Sequence, residues 1–339
     1  MKAHHVLIAG SGSVGRRHAR NLAALGCSIS CVDPRKDRRD ELAAEVPVIT
    51  SVASLAEALS DAEFDGVVIG SPTAYHIGQA AEVLARGLPV FLEKPVSTNL
   101  AEARALQAIV AQATDGRERL LMGYTWRWWP PLARTRELVA NGVIGRILNV
   151  QFNMSAHLAD WHPWERYQDF FMASVAQGGG ALLDESHWID LKLWFFGYPD
   201  WIWSDIGRLS SLEIETDDNV EILAGYSDGL RVSLHLDLYG RPHAKSIRFV
   251  GEEGSLVWSE VPNRIAIGRG SEQHWEEEIF LCQRNEMFSA AASEFLAMID
   301  GAPPRTCTIA DGVAAMRVIE AARLSSSEGR RVRFEEVEA

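Results

Sequence analysis

Two short stretches of this chain combine residue types that can move protons. Glu93-Lys94-Pro95 closes an apolar run, Val90-Phe91-Leu92, that reads as a buried strand. In an open α/β sheet, ligands gather beyond the carboxyl ends of the strands, so Lys94 stands at a catalytic address. Desolvation there would lower its pKa and let it exchange protons near neutral pH. The second stretch follows three glycines, Gly178 to Gly180, and carries Asp184, His187 and Asp190. Residues three apart on a helix share a face, so one surface would present an imidazole between two carboxylates. A histidine titrates near neutral pH, and a neighbouring acid raises its basicity and fixes its tautomer. A lone helical histidine is ordinarily structural; the two acids and the glycine run turn this one toward chemistry.

Two aromatic segments could recognise a substrate. In Asp160-Trp161-His162-Pro163-Trp164-Glu165-Arg166-Tyr167, ring faces alternate with hydrogen-bonding groups, which suits a polyhydroxylated ring with one apolar face. The competing reading is an aromatic loop packed over a sheet. Trp126-Arg127-Trp128-Trp129 follows the sixth predicted strand. Arg127 there could clamp a substrate carboxylate or form an interdomain ion pair.

The elements that must position these groups are legible upstream. Residues 4 to 125 alternate apolar runs with helical patterns, with strands expected at 5–9, 29–32, 46–49, 67–69, 90–92 and 120–122. Ser54 to Glu57 and Asn99 to Glu102 have capping-box spacing, and Gly87 stands where a helix would end. Strands alternating with helices imply a doubly wound parallel sheet. Gly10-Ser11-Gly12-Ser13-Val14-Gly15 lies between the first strand and a helix, the context of a dinucleotide fingerprint. Gly10 permits the turn, Gly12 the approach of a pyrophosphate, and Gly15 close helix–strand packing. Asp33 ends the second strand and would accept the adenine ribose hydroxyls, favouring NAD. Arg35, just beyond, could fold onto a 2′-phosphate and keeps NADP open. Ser71-Pro72-Thr73, with His76 beyond, closes the fourth strand and could line the cofactor trough beside Glu93 and Lys94; a proline-ended strand cap is an equal alternative.

After Tyr124 the pattern changes. Pro130 to Gly142 reads as a helix with proline at its start and Asn-Gly at its stop. Alternating runs at 220–226 and 231–238 flank Ser227-Asp228-Gly229, a strong hairpin signal. Runs at 246–250, 255–258 and 265–267 extend an antiparallel sheet with one apolar face. Helices are expected over 287–299 and 309–324, the last returning to the first domain. The expected division is a dinucleotide-binding domain at 1–125, a substrate and oligomerisation domain at 126–308, and a returning helix and strand at 309–339.

Composition narrows the class. The chain has 339 residues, more than one core usually holds. A formal net charge of −13 and no basic stripe disfavour nucleic acid, whose phosphates need clustered cations. The run Arg35 to Arg39 is short and interrupted by Asp37, and reads as a solvated helix start. No stretch approaches the roughly 20 apolar residues of a membrane span, and no signal peptide is evident, which points to the cytoplasm. Four cysteines, Cys27, Cys31, Cys282 and Cys307, are too few for a disulfide framework and complete no metal site.

On the glycine turn at 10–15, Glu93-Lys94-Pro95 and the segment from Gly178 to Asp190, the chain resembles the Gfo/Idh/MocA oxidoreductases over essentially its whole length. The resemblance implies an N-terminal Rossmann domain and a C-terminal α/β domain whose large, mainly antiparallel sheet often supports dimers or tetramers. It implies NAD(P)-dependent oxidation of a sugar or cyclitol hydroxyl, or the reverse. Lys94 matches the family's active-site lysine and His187 its histidine. The loop from Trp161 to Tyr167, with His162 and Trp164, is similar to a subgroup associated with nucleotide-linked or acidic sugars. The family pattern leaves three residues between its Asp and His, whereas only Glu185 and Ser186 separate Asp184 from His187. That leaves open whether Asp184 reaches substrate or Asp190 supports His187. His187 would take the hydroxyl proton while Lys94 steadies the oxygen, with the two roles exchangeable. The same scaffold also supports NAD-dependent glycosidases and redox-inactive sensors.

Overall fold

The computed structural model describes residues 4–112, 117–161, 163–271 and 274–337. The chain divides into two compact units, Met1–Trp128 with Arg284–Val313, and Trp129–Gln283 with Ala314–Ala339.

The first unit alternates strand and helix: β1 (His5–Ala9), α1 (Ser13–Ala24), β2 (Ser28–Val32), α2 (Lys36–Glu45), β3 (Val48–Val52), α3 (Leu55–Asp61), β4 (Gly66–Ile69), α4 (His76–Leu84), β5 (Val90–Leu92), α5 (Leu100–Ala111) and β6 (Leu120–Met122). All six strands pair in parallel in the order β3-β2-β1-β4-β5-β6. The order reverses at β1 and β4, the place where a doubly wound sheet opens a crevice. β4, β5 and β6 are buried along their whole length, as strands covered on both faces must be. α1 buries Gly15, His18, Ala19 and Leu22, one helical stripe. Ser54 and Asn99 cap α3 and α5 by accepting the amides of Glu57 and Glu102, as their spacing predicts.

The second unit runs α6 (Pro130–Ala140), β7 (Ile147–Ser155), α7 (Ala181–Asp184), α8 (Ser186–Phe196), β8 (Trp201–Gly207), β9 (Asn219–Gly225), β10 (Arg231–Asp237), β11 (Ala244–Gly251), β12 (Gly254–Ser259), β13 (Arg264–Arg269) and β14 (Trp275–Ile279). α9 (Asn285–Ile299) then returns to the first unit, and α10 (Ile309–Glu328) leads to β15 (Val332–Arg333). The nine-stranded sheet has the order β14-β13-β12-β11-β7-β10-β9-β8-β15. Among the described residues only its β7–β10 pairing is parallel, so the sheet is mixed but mainly antiparallel. Val150, Phe152, Leu234, Ile222 and Phe249 point into the core, where Trp188 of α8 meets Phe152 and Trp258.

Two expectations change. The return to the first unit is made by α9 together with the first turn of the final helix: Phe295, Ala291 and Ala292 pack with Phe91 and Leu22, and α10 belongs to the first unit as far as Val313, whereas β15 pairs with β8. The cause is the apolar face of α9, which completes the Rossmann core, and Phe295 meets Phe91 edge-on at 5.9 Å. The single helix expected after the glycines is also broken at Glu185, which leaves helical geometry with φ −89° and ψ 17°. Its buried carboxylate accepts the indole N–H of Trp188 at 3.1 Å, so the side chain is drawn inward at the break. Asp184 therefore ends α7 while His187 and Asp190 share α8.

Candidate active site

The glycine turn sits at the carboxyl end of β1. Gly10 has φ +95°, and a Cβ there would lie 2.6 Å from the Ser71 amide at the end of β4. A Cβ on Gly15 would lie 1.8 Å from the Gly10 carbonyl oxygen, so only glycine lets α1 start this close to the strand. Gly12 is the N-cap of α1 and offers no side-chain cap to the amides that follow, including those of Ser13 and Val14. Asp33 is 8% exposed; its Oδ2 accepts the Ser11 amide at 2.8 Å and its Oδ1 the Arg35 amide at 2.9 Å. A carboxylate has about four acceptor positions, so capacity for ribose hydroxyls remains. A turn cleared of side chains, an uncapped helix start and an acid at the end of β2 together fit a dinucleotide.

Arg35 extends along the surface to Asp37, to which its Nε donates at 3.2 Å, and the Asp37 carboxyl is held down to about 2, chiefly by that hydrogen-bonded guanidinium. A 2′-phosphate would have to compete with Asp37 for it. Ser71 Oγ donates to Gln79 at 2.6 Å, and buried Thr73 opens the turn after Pro72.

Lys94 is half-buried beyond β5, on a backbone fixed from several directions. Its N–H donates to Glu93 Oε2 at 3.2 Å, while Glu93 Oε1 lies 2.7 Å from His18 Nε2 on α1. The Glu93 carboxylate fits beneath Gly123, where a Cβ would come within 3.1 Å of it. His76 is buried, with Nδ1 2.7 Å from the Pro95 carbonyl and Nε2 2.9 Å from the Ser71 carbonyl. It thus faces protein atoms on both sides of its ring.

In the second unit, Gly180 has φ +107°, and a Cβ on it would lie 2.4 Å from Asp217 Oδ1. Asp217 accepts the Ala181 amide through its carbonyl and the Leu182 amide through Oδ2 at 2.8 Å. Burial pushes its carboxyl pKa up. This aspartate sets the direction in which α7 leaves the glycines. Asp184 and Asp190 are buried and His187 is half-buried.

The remaining expected residues have defined places. Arg127 is 7% exposed and pairs with Asp311 at 3.0 Å while donating to the Thr306 carbonyl at 3.0 Å, an ion pair within the first unit. Trp161 is half-buried and Trp164 is 67% exposed. Tyr167 Oη accepts the Glu213 amide at 3.3 Å. His162 lies outside the described residues. Sequence reasoning missed His18 and Asp217. His18 falls on the buried stripe of α1, three residues after Gly15, and that spacing was available; the role of Asp217 depends on contacts too distant in sequence to read.

The family model described as an oxidoreductase family with an NAD-binding Rossmann fold matches residues 4–116, and the GFO/IDH/MocA C-terminal domain matches residues 132–257. The chain belongs to the Gfo/Idh/MocA family. Among Gfo/Idh/MocA relatives, the rhizopine catabolism protein MocA of Rhizobium meliloti is 28% identical, over 96% of this chain and 98% of that one. An inositol 2-dehydrogenase of Leifsonia xyli is 31% identical over 42% of each chain. A levoglucosan dehydrogenase solved with NADH and L-sorbose shares the fold, with a TM-score of 0.86 at 17% identity over 99% of this chain and 100% of that one. As a Gfo/Idh/MocA member, the protein is an NAD-binding oxidoreductase acting on CH–OH groups. Among the described residues, no helix is long and apolar enough to cross a membrane.

Proposed function

We propose that this enzyme oxidises a secondary hydroxyl of a sugar, sugar acid or cyclitol, or reduces the matching ketone, with Lys94 and His187 handling the proton. The observation that carries the reading is the convergence of the glycine turn, Asp33, Ser71 and Lys94 at the carboxyl ends of β1, β2, β4 and β5. When bound there, the nicotinamide supplies the hydride acceptor, or the donor in the reverse direction. His187 takes the hydroxyl proton; Lys94 donates a hydrogen bond to the same oxygen and steadies its developing charge. Asp184 positions a neighbouring hydroxyl, and Asp190, three residues along α8, supports His187.

NAD is the preferred cofactor on this reading, because Asp33 repels a 2′-phosphate and Arg35 is held by Asp37. Trp161, Trp164 and Tyr167 would meet the sugar's apolar face. The enzyme works as a homo-oligomer. Trp203 and Leu223, paired across β8 and β9 and 42% and 36% exposed, give the open sheet face an apolar patch for a second copy. It acts in the cytoplasm, where its four cysteines stay reduced.

A screen of sugars, cyclitols and sugar acids with NAD and NADP, read by absorbance of the reduced cofactor, identifies the substrate. On that substrate Lys94→Ala and His187→Ala each lower turnover by about 10² or more while NAD binding persists. Near-normal turnover in both variants overturns the assignment. Release of a leaving group without net NADH would instead mark a glycosidase.

A further inference from the structure

The His76 imidazole bridges two loops. Ser71 follows β4 and packs against the glycine turn, and Pro95 follows Lys94 beyond β5. β4 and β5 are neighbours, with Ile69 opposite Leu92. One ring, 1% exposed, lies at hydrogen-bond distance from a carbonyl of each loop, 2.9 Å to Ser71 and 2.7 Å to Pro95. A neutral imidazole has one N–H, so it donates to one carbonyl and turns a lone pair toward the other; only the imidazolium donates to both. Burial opposes that charge and holds the His76 pKa below its ordinary value. The two carbonyls and the Glu93 carboxylate pull the other way, and the Lys94 ammonium adds to the effect of burial. The backbone around Lys94 is therefore gripped on both sides, by Glu93 at its own N–H and by His76 at the next carbonyl.

We propose that His76 is a positioning residue that acts through Lys94, its ring, held between the Pro95 and Ser71 carbonyls, setting the lysine's distance from the glycine turn. This rests on the reading of Lys94 as the group that steadies the reacting oxygen. A ring that merely filled the core would affect folding and every activity alike. A ring that acts through Lys94 matters only while Lys94 is present.

A double-mutant cycle separates the two. His76→Phe keeps a ring but removes both polar contacts; His76→Gln restores an amide donor able to reach one carbonyl. Thermal unfolding confirms that each variant is folded, and fluorescence titration gives NADH affinity. The expected result is a kcat lower by about 10- to 100-fold in His76→Phe, with NADH affinity within about threefold and partial recovery in His76→Gln. In a Lys94→Ala background, adding His76→Phe costs less than about twofold. If His76→Phe does not fold, His76→Gln carries the same cycle. A folded variant with unchanged kcat overturns the proposal, as does an equal loss with and without Lys94. If Lys94→Ala alone keeps wild-type turnover, the lysine's role fails, and that of His76 with it; additivity on top of a crippled Lys94→Ala enzyme counts against His76 alone.

Discussion

In the six-stranded sheet, β4, β5 and β6 are buried residue after residue, whereas β10 of the nine-stranded sheet alternates buried and half-exposed positions. The two sheets place their titratable groups accordingly. In the first unit, His18, Glu93 and His76 lie in the interior at the strand ends, each with a protein partner. In the second, the half-buried His235 sits between Glu221, opposite it on β9, and the buried Asp237, two residues along. A sheet covered on both faces leaves only its ends for chemistry, and groups placed there can be fixed beforehand. A sheet open on one face can carry charges along its length, where water screens them and a second copy can cover them.

The largest test of that difference lies in the first unit's cover. Phe295→Ala removes the ring that α9 sets against Phe91 and should cost about 3–5 kcal/mol, as large cavities in tight cores do. Denaturant unfolding followed by probes in each unit should show the first unit weakened ahead of the second; equal weakening would break the contrast.

A smaller effect is expected at Lys192, a buried lysine on α8 whose ammonium has the Gly197 carbonyl at 3.4 Å and the Tyr226 ring at 5.5 Å. Burial lowers its pKa from 10.5 to about 7. The unfolded chain holds this proton between those values and the folded one does not, so its penalty is full below pH 7 and relaxes as pH rises toward 10.5. Lys192→Met should therefore stabilise by about 1–3 kcal/mol at or below neutral pH and by progressively less in alkali. A gain independent of pH would show the ammonium to be better solvated than its burial indicates.

The smallest effect belongs to His235 of the nine-stranded sheet. The Asp237 hydrogen bond, against burial and with help from Glu221, raises the His235 pKa from 6.5 to about 9. A raised pKa gives stability that is complete below pH 6.5 and lost as pH climbs through about 9. Compared with His235→Gln, the wild type should be more stable at pH 6 by less than about 1 kcal/mol, with no difference remaining near pH 10. A difference that persists in alkali would mean the ring works through packing.

The same contrast explains what could be read from the residues. Strands buried on both faces are continuous apolar runs, so β1, β4, β5 and β6 stand out, and the Asp-Gly turn reveals β9 and β10. β7 escaped notice because Asn149, Gln151 and Asn153 fill alternate positions with poor strand formers, and β14 because Glu276, Glu277 and Glu278 run together on an exposed edge. In the site, Lys94 and the glycine turn follow from local pattern. The break at Glu185 depends on an indole three residues on, and the grip of His76 on a carbonyl nineteen residues away. Neither partner has a periodicity that would announce it.

The placement of α9 bears on how this chain is made. A ribosome releases all six parallel strands early, then the strands from β7 to β14, and only afterwards the helix that covers Phe91. The nascent Rossmann unit must therefore wait, with part of its apolar surface open to water, until synthesis has passed Val313. A chain halted before Asn285 would carry every glycine of the cofactor turn and still present a sticky, half-covered sheet to chaperones and to its own kind.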